Sequence, residues 1–447
     1  MLGLNSTQRE AIGLNHILHQ LTPSSPYGAE KLRQISPFNC VDSLNRHFDN
    51  IEKLMRKDLK TLRDILAHFK NISGILEKLA GSAINEVELF ETKGFLLTLE
   101  HFLPVFNEIN TELALADISF MPMTPALDML DPQKSRLAPF SLDDGFSDIL
   151  PVARNKITWE EQAAEELRVM SELSIQLRPH IPKFRSNIKN LGNLDLAIAI
   201  SALATEHNCT RPIISEVTVM MQDMINPIVA KNLVKTNRTM TPISISLAAG
   251  QPGIITGANM GGKSVAIKTA ALNVALCAIG LFAFAAKAET PLFDGISLIM
   301  QDMQDTSAGL SSFGGEVTAL NTIAASINTG KDILFIALDE PARTTNPAEG
   351  AAIARAIATW LADSRHISLL ATHYDNVTAP NAKYYRVAGL TNLSQALCQD
   401  NIANHMDYRL LETTATDPIP RDAIKICKLL GLDDALMARI ESEYANQ

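Results

Sequence analysis

The sequence has few cysteines for its length, five in 447 residues, and none of them form a C-x-x-C pair. Cys40, Cys209, Cys277, Cys398 and Cys427 are widely spread, which excludes a disulfide framework and a cysteine zinc site and fits reduced thiols in a cytoplasmic protein. Excess positive charge is also missing. A net charge of −10 offers no global attraction to phosphate backbones or anionic membranes, although a local basic stripe can survive inside an acidic total. The first residues, MLGLNSTQREAIGL, reach Arg9 and Glu10 before any apolar run that could serve as an export signal. There is no internal repeat and no low-complexity tract. A composition 46% hydrophobic, 20% charged and 5% aromatic describes an ordinary folded chain, and its length calls for at least two domains.

Two kinds of hydrophobic pattern divide the chain. From about Asp42 to Leu79, Leu44, Phe48, Ile51, Met55, Leu59, Leu62, Ile65 and Phe69 recur at three- and four-residue steps, the helical period. Asn85 to Leu115 and Trp159 to about Ala204 show the same spacing, so residues 1–205 read as an all-α domain. Between them, residues 119–156 are rich in Pro and Asp and read as a connector of turns. Near Thr210 short β-favouring runs begin: TRPIIS, VTVMM, ISISL and GIITG, separated by Pro, Gly and Asn. Further on, ILFIALDE and ISLLATH alternate with helical stretches, which predicts a mostly parallel sheet flanked by helices over residues 206–400. Residues 401–447 read as a helical tail.

GIITGANMGGKS supplies a strand, a G-x-x-x-x-G-K-S loop from Gly257 to Ser264, and the start of a helix, the arrangement of a P-loop. Gly257, Asn259, Gly261 and Gly262 let backbone N–H groups face phosphates; Lys263 adds a point charge and Ser264 a hydroxyl for Mg²⁺. This predicts ATP as ligand. The uncharged stretch Thr269–Ala286 is long enough to raise a membrane span, but Asn273, its many alanines and its place after the loop favour a buried helix. The strand ILFIALDE ends in Asp339 and Glu340, two carboxylates at the strand edge where α/β sheets bind ligands. Asp339 is expected to hold Mg²⁺ and Glu340 to orient or deprotonate water. His373, at the end of ISLLATH, is placed to sense the γ-phosphate. Ser311, in SSFGGE, precedes a helix whose N-terminus can receive a phosphate or simply be capped.

Taken together and in order, TGANMGGKS, SSFGGE, LDEPARTTN and ATHY resemble the ABC-type ATPase domain of the MutS mismatch-repair family. The resemblance implies a dimer, homomeric or with a related subunit, in which Ser311 reaches the γ-phosphate bound by the partner. LDLAIAISALATEHNCTRPIIS resembles the end of the family's lever helices, TPSSPYGAEKLRQISPF the start of its helical core, and IPRDAIKICKLLGL its C-terminal dimer-associated helices.

Several features depart from that pattern. The core-like segment begins by about Leu21, which leaves no room for a mismatch-reading domain or a connector before it, and Arg154–Arg185 runs through in helical pattern where a DNA clamp would be inserted. Arg343 keeps the family's arginine, whereas Ala342, Thr344 and Asn346 replace its usual glycines and serine. Asn232–Thr241 holds no aromatic to stack on adenine. This shortened form looks similar to small MutS-related ATPases, some associated with reactivating lysine aminomutase. A remodelling ATPase gripping a protein client is therefore the first expectation. A DNA-binding paralogue in mismatch repair or recombination is the second, supported by a mildly basic helix carrying Lys53, Arg56, Lys57, Lys60 and Arg63.

Overall fold

The computed structural model describes residues 2–142, 145–147, 158–235, 237–257, 262–300, 312–329, 333–390, 406–417, 423–429 and 431–445. Its contacts divide the chain into two units. One comprises residues 1–19, 36–45 and 206–447, the other residues 20–35 and 46–205.

The second unit is helical, as its periodicity predicts. It contains α3 (Pro26–Arg33), most of α4 (Val41–Leu54), α5 (Lys60–Leu66), α6 (Ser73–Gly81), α7 (Glu86–Leu113), α8 (Thr124–Leu130), α9 (Trp159–Leu177) and nearly all of α10 (Ile181–Glu206). α7 starts at a capping box, in which Asn85 accepts from the Glu88 backbone N–H and Glu88 accepts from that of Asn85. Phe69, Phe95, Phe102, Phe106 and Phe184 form an aromatic chain through the core, with Phe102 and Phe106 stacked. Such pairs add modestly to the apolar area they bury.

The stretch expected to be turns contains a helix, α8. Its Pro125 falls in the first turn, where a missing N–H costs nothing, and Ala126, Leu127 and Leu130 are buried. Beyond it, Asp131 is buried and accepts from the Arg136 backbone N–H at 2.8 Å and the Ser135 hydroxyl at 2.9 Å; Lys93 of α7 lies 3.4 Å away. Burial pushes the Asp131 carboxyl up, but these donors and the Arg136 guanidinium outweigh it and hold the group at about 2. A folded value below the ordinary 3.8 means that stability is present above 3.8 and is lost as pH falls toward 2. Asp131→Asn is therefore expected to lower the unfolding temperature at pH 7, and the gap from wild type should narrow steadily below pH 4.

The first unit holds both sheets. Six strands lie in the order β10 (Met406–Thr413), β9 (Lys383–Leu390), β4 (Gly253–Thr256), β8 (Ile367–Ala371), β7 (Leu334–Asp339), β6 (Gly295–Ile299). All neighbours are parallel except β9 and β10. β7 and β8 are almost wholly apolar because helices cover a parallel sheet on both faces. A four-stranded mixed sheet adds β1 (Ile213–Ser215), β5 (Lys287–Pro291), β2 (Thr218–Met224) and β3 (Ile243–Ala248) in that order. The remaining helices here include α11 (Pro227–Val234), α12 (Lys263–Ala278), α13 (Ser312–Thr329) and α14 (Pro347–Ala362).

α12 is the buried helix expected after the loop. Its one interior amide, Asn273, donates to the Ile225 carbonyl at 3.2 Å and the Thr269 carbonyl at 3.0 Å, and accepts from Phe284 N–H at 2.8 Å. A buried amide so satisfied stitches neighbouring turns to the helix. Among the described residues no helix is long and apolar enough to cross a membrane.

Both ends of the chain differ from the sequence reading. Residues 1–19, which read as part of the helical domain, group with the sheets. The Ile296 N–H donates to the Leu2 carbonyl at 2.8 Å, and Gln8 of α1 (Ser6–Ile12) donates to the Leu298 carbonyl at 3.1 Å, so this segment covers the exposed edge of β6. The tail is not all helix: β10 lies in it, ahead of α15 (Ala423–Leu429) and α16 (Asp434–Ala445).

Candidate active site

Strand register builds the site. Ile255 of β4, Ala371 of β8 and Asp339 of β7 lie level across the sheet, so the residues that follow each strand emerge at one edge. The Glu340 N–H donates to the Ala371 carbonyl at 2.9 Å and the Thr372 N–H to the Ile255 carbonyl at 2.9 Å, extending the ladder one step past the strands. This edge is where open α/β sheets take ligands.

Gly257 leaves β4 at φ 137°, and a Cβ there would meet Val387 at 3.4 Å. Gly262 caps α12 at φ 92°; a Cβ there would lie 3.2 Å from the Tyr408 ring. Both conformations favour glycine. Lys263 opens the helix, and its ammonium donates to the Gly257 carbonyl at 2.7 Å and lies 3.0 Å from Glu340 Oε1. Lys263 is only 2% exposed, Asp339 3% and Glu340 4%, so all three charged groups are out of water.

The second oxygen of Glu340 faces Arg343 Nη1 and His373 Nδ1, each at 3.5 Å. Burial pulls the His373 imidazole below its usual range, with Lys263 and Arg343 adding to that and Glu340 opposing it. That shift favours the uncharged imidazole, a hydrogen-bonding group, over a fixed cation. The Ser264 hydroxyl donates to Asp339, whose Oδ1 is buried and has no hydrogen-bond partner among the described residues. Burial raises the Asp339 carboxyl above the usual range; Ser264 lowers it in part and Glu340 adds to the rise.

A buried carboxylate oxygen beside a hydroxyl is a donor set that suits Mg²⁺, a hard ion that takes one or two protein oxygens and completes its octahedron with water and phosphate. Among the described residues no group of three His, Cys, Asp or Glu side chains gathers to hold a metal by itself. The buried Lys263 and the α12 N-terminus suit the phosphates.

Gly257, Gly262, Lys263, Ser264, Asp339, Glu340 and His373 thus come together; Asn259, Gly261 and Ser311 lie outside the described residues. Sequence reasoning missed Tyr408, which β10 brings against the loop. It is remote in the chain from Gly262, so no local spacing links the two. Also missed were Glu316 and Tyr374, whose side chains hold the turn after Glu340. The Ala342 N–H donates to Glu316 at 2.9 Å, and the Tyr374 hydroxyl donates to the Ala342 carbonyl at 2.8 Å.

Comparison with known proteins bears on this part of the chain. Endonuclease MutS2 of Leuconostoc citreum (strain KM20) is 30% identical over 277 residues, covering 61% of this chain and 32% of the relative. Endonuclease MutS2 of Acetivibrio thermocellus is 27% identical over 291 residues, 64% of this chain and 34% of its own. The DNA mismatch repair protein MutS of Desulforapulum autotrophicum is 27% identical over 291 residues, 64% and 32% respectively. The chain thus aligns with about a third of the length of these relatives. Residues 253–445, which include every described residue of the constellation, match the family model of MutS domain V.

Proposed function

We propose that the chain is a MutS-type ATPase that hydrolyses MgATP at this sheet edge. The observation that carries the reading is the convergence of Lys263, Ser264, Asp339, Glu340 and His373 on the ends of β4, β7 and β8, inside the segment similar to MutS domain V. Lys263 and the loop glycines, with Asn259, bind the phosphates. Ser264 and Asp339 hold Mg²⁺, which when bound neutralises charge on the phosphate oxygens. Glu340 orients the water and accepts its proton, while His373 lies on the same side to hydrogen-bond the γ-phosphate or its water. Tyr408 borders the loop at Gly262. Ser311 acts on the nucleotide of a partner subunit in a homodimer or a related heterodimer. In this reading residues 20–35 and 46–205 supply core and levers, residues 206–417 with the first 19 the ATPase domain, and α15 and α16 the dimer-associated segment.

For the partner, duplex DNA now stands ahead of a protein client. The relatives are named for DNA repair and nuclease action, although they align over only about a third of their length. The protein-client reading keeps one specific support: the basic stretch expected to be one helix is broken between the end of α4 at Leu54 and the start of α5 at Lys60, and its side chains are less free than its sequence suggests. Lys53 donates to the Ala114 carbonyl at 2.7 Å, Lys57 pairs with Glu112, and Arg63 donates to Ser24 at 3.4 Å.

Salt separates the two. A protein covering six or more phosphates loses roughly 10³-fold or more in affinity between about 50 and 200 mM salt. Duplex binding with such a slope, together with a duplex-dependent change in ATP turnover, is the expected result. No binding even at low salt, with a protein retained instead by the Glu340→Gln variant, would return the client to first place.

A further inference from the structure

Glu340 and Ala342 sit in the turn after β7 at φ 52° and 62°, a region unfavourable to residues that carry a Cβ. Such a turn persists only where its surroundings over-determine it. Ala342 is buried, and both of its peptide groups are held by side chains from other elements. Its N–H donates to Glu316 Oε2 of α13 at 2.9 Å, and its carbonyl accepts from the Tyr374 hydroxyl at 2.8 Å. The Thr345 N–H adds a weaker bond to the same carbonyl at 3.3 Å.

Tyr374 is itself seated in a socket. A Cβ on Gly350 of α14 would lie 2.1 Å from its hydroxyl oxygen, so the missing side chain there is what admits the ring. The Tyr374 N–H donates to the Thr372 hydroxyl at 3.1 Å, and the His373 ring lies 4.2 Å from the Tyr374 ring, centroid to centroid. Two side chains from separate elements, one of them seated by a third, thus converge on the backbone of a single residue two positions past Glu340.

We infer that Glu316 and Tyr374 are positioning residues: together they clamp the Ala342 peptide and so aim the Glu340 carboxylate at the water it activates. The inference rests on the proposed role of Glu340 as base. It also makes α13, the helix that follows Ser311, a mechanical neighbour of the base, because any shift of Glu316 is transmitted to the turn.

The test compares ATP turnover and ATP binding of the full chain in wild type, Glu340→Gln, Glu316→Ala, Glu316→Gln, Tyr374→Phe and Gly350→Ala. A displacement of about 1 Å at a reacting group can cost ~10²-fold, so kcat is expected to fall roughly 10- to 100-fold in Glu316→Ala and Tyr374→Phe. KM for ATP should stay within about twofold, since neither side chain is among the phosphate-binding groups. Glu316→Gln should recover most of the rate, because its amide oxygen accepts the same backbone bond; a residue acting through its charge would not be rescued. Gly350→Ala should resemble Tyr374→Phe by displacing the hydroxyl without removing it. Unchanged unfolding temperatures would separate these losses from misfolding. If Glu340→Gln is inactive while Glu316→Ala and Tyr374→Phe keep wild-type kcat, or if Glu316→Gln is as impaired as Glu316→Ala, the clamp is overturned. If Glu340→Gln turns over like wild type, the reading of Glu340 as base fails first.

Discussion

Glu340→Gln is expected to lower ATP turnover by about 10²- to 10⁴-fold, the usual worth of a positioned general base, while ATP binding is kept or tightened. The tightening follows from the geometry. In the wild-type chain the Lys263 ammonium lies 3.0 Å from the Glu340 carboxylate, and both groups are buried. The γ-phosphate must share that cation with the carboxylate, and two anions facing one cation in a dry site repel. Glutamine keeps the shape and removes the charge, so the ammonium is left to the phosphate. The measurement is phosphate release at saturating MgATP alongside equilibrium nucleotide binding. Equal release rates in the two proteins would mean that Glu340 is not the base.

The parts of this site that could be read in the sequence are those whose chemistry is local. A strand, a glycine loop and a helix start follow one another from Gly253 to Ser264, and the structure places β4, Gly257, Gly262 and α12 accordingly. The acidic pair after β7 and the histidine after β8 were legible because each ends an apolar run of strand length. Their mutual distances were not. They depend on the register that sets Asp339 beside Ala371, and register is a contact between segments far apart in sequence.

The misreadings have the same origin. α8 lay hidden in a Pro- and Asp-rich stretch because Pro125 falls where a helix tolerates it. β10 was read as helix because Met406–Thr413 shows its strand character only against β9. Tyr408, Glu316 and Tyr374 became visible as site residues only through what they touch: the Gly262 position and the two ends of the Ala342 peptide. Ala342 stands where the resemblance leads one to expect a glycine or serine, and its φ of 62° is a conformation that glycine adopts more readily. Asn259, Gly261 and Ser311 lie outside the described residues, and their roles rest on sequence alone.

Lys263→Ala is expected to abolish measurable ATP binding, because the phosphates lose the point charge at the head of α12. The same change has a second consequence that would confuse a simple activity assay. Glu340 is buried, and removing the ammonium at 3.0 Å takes away the nearest described cation, the Arg343 guanidinium and the His373 ring each lying farther off at 3.5 Å. Breaking one side of a buried pair typically destabilises by about 3–5 kcal/mol, so Lys263→Ala should also lower the unfolding temperature. The double variant Lys263→Ala, Glu340→Gln separates the two effects. With the Glu340 carboxylate neutralised its half of the pair no longer carries a charge, so thermal stability should return in large part toward that of Glu340→Gln. Nucleotide binding should not return, since no side chain replaces the ammonium. If binding recovers in the double variant, Lys263 serves to hold Glu340 and the phosphates are bound by other groups. If neither stability nor binding changes in Lys263→Ala, the buried pair and the nucleotide site are both misassigned.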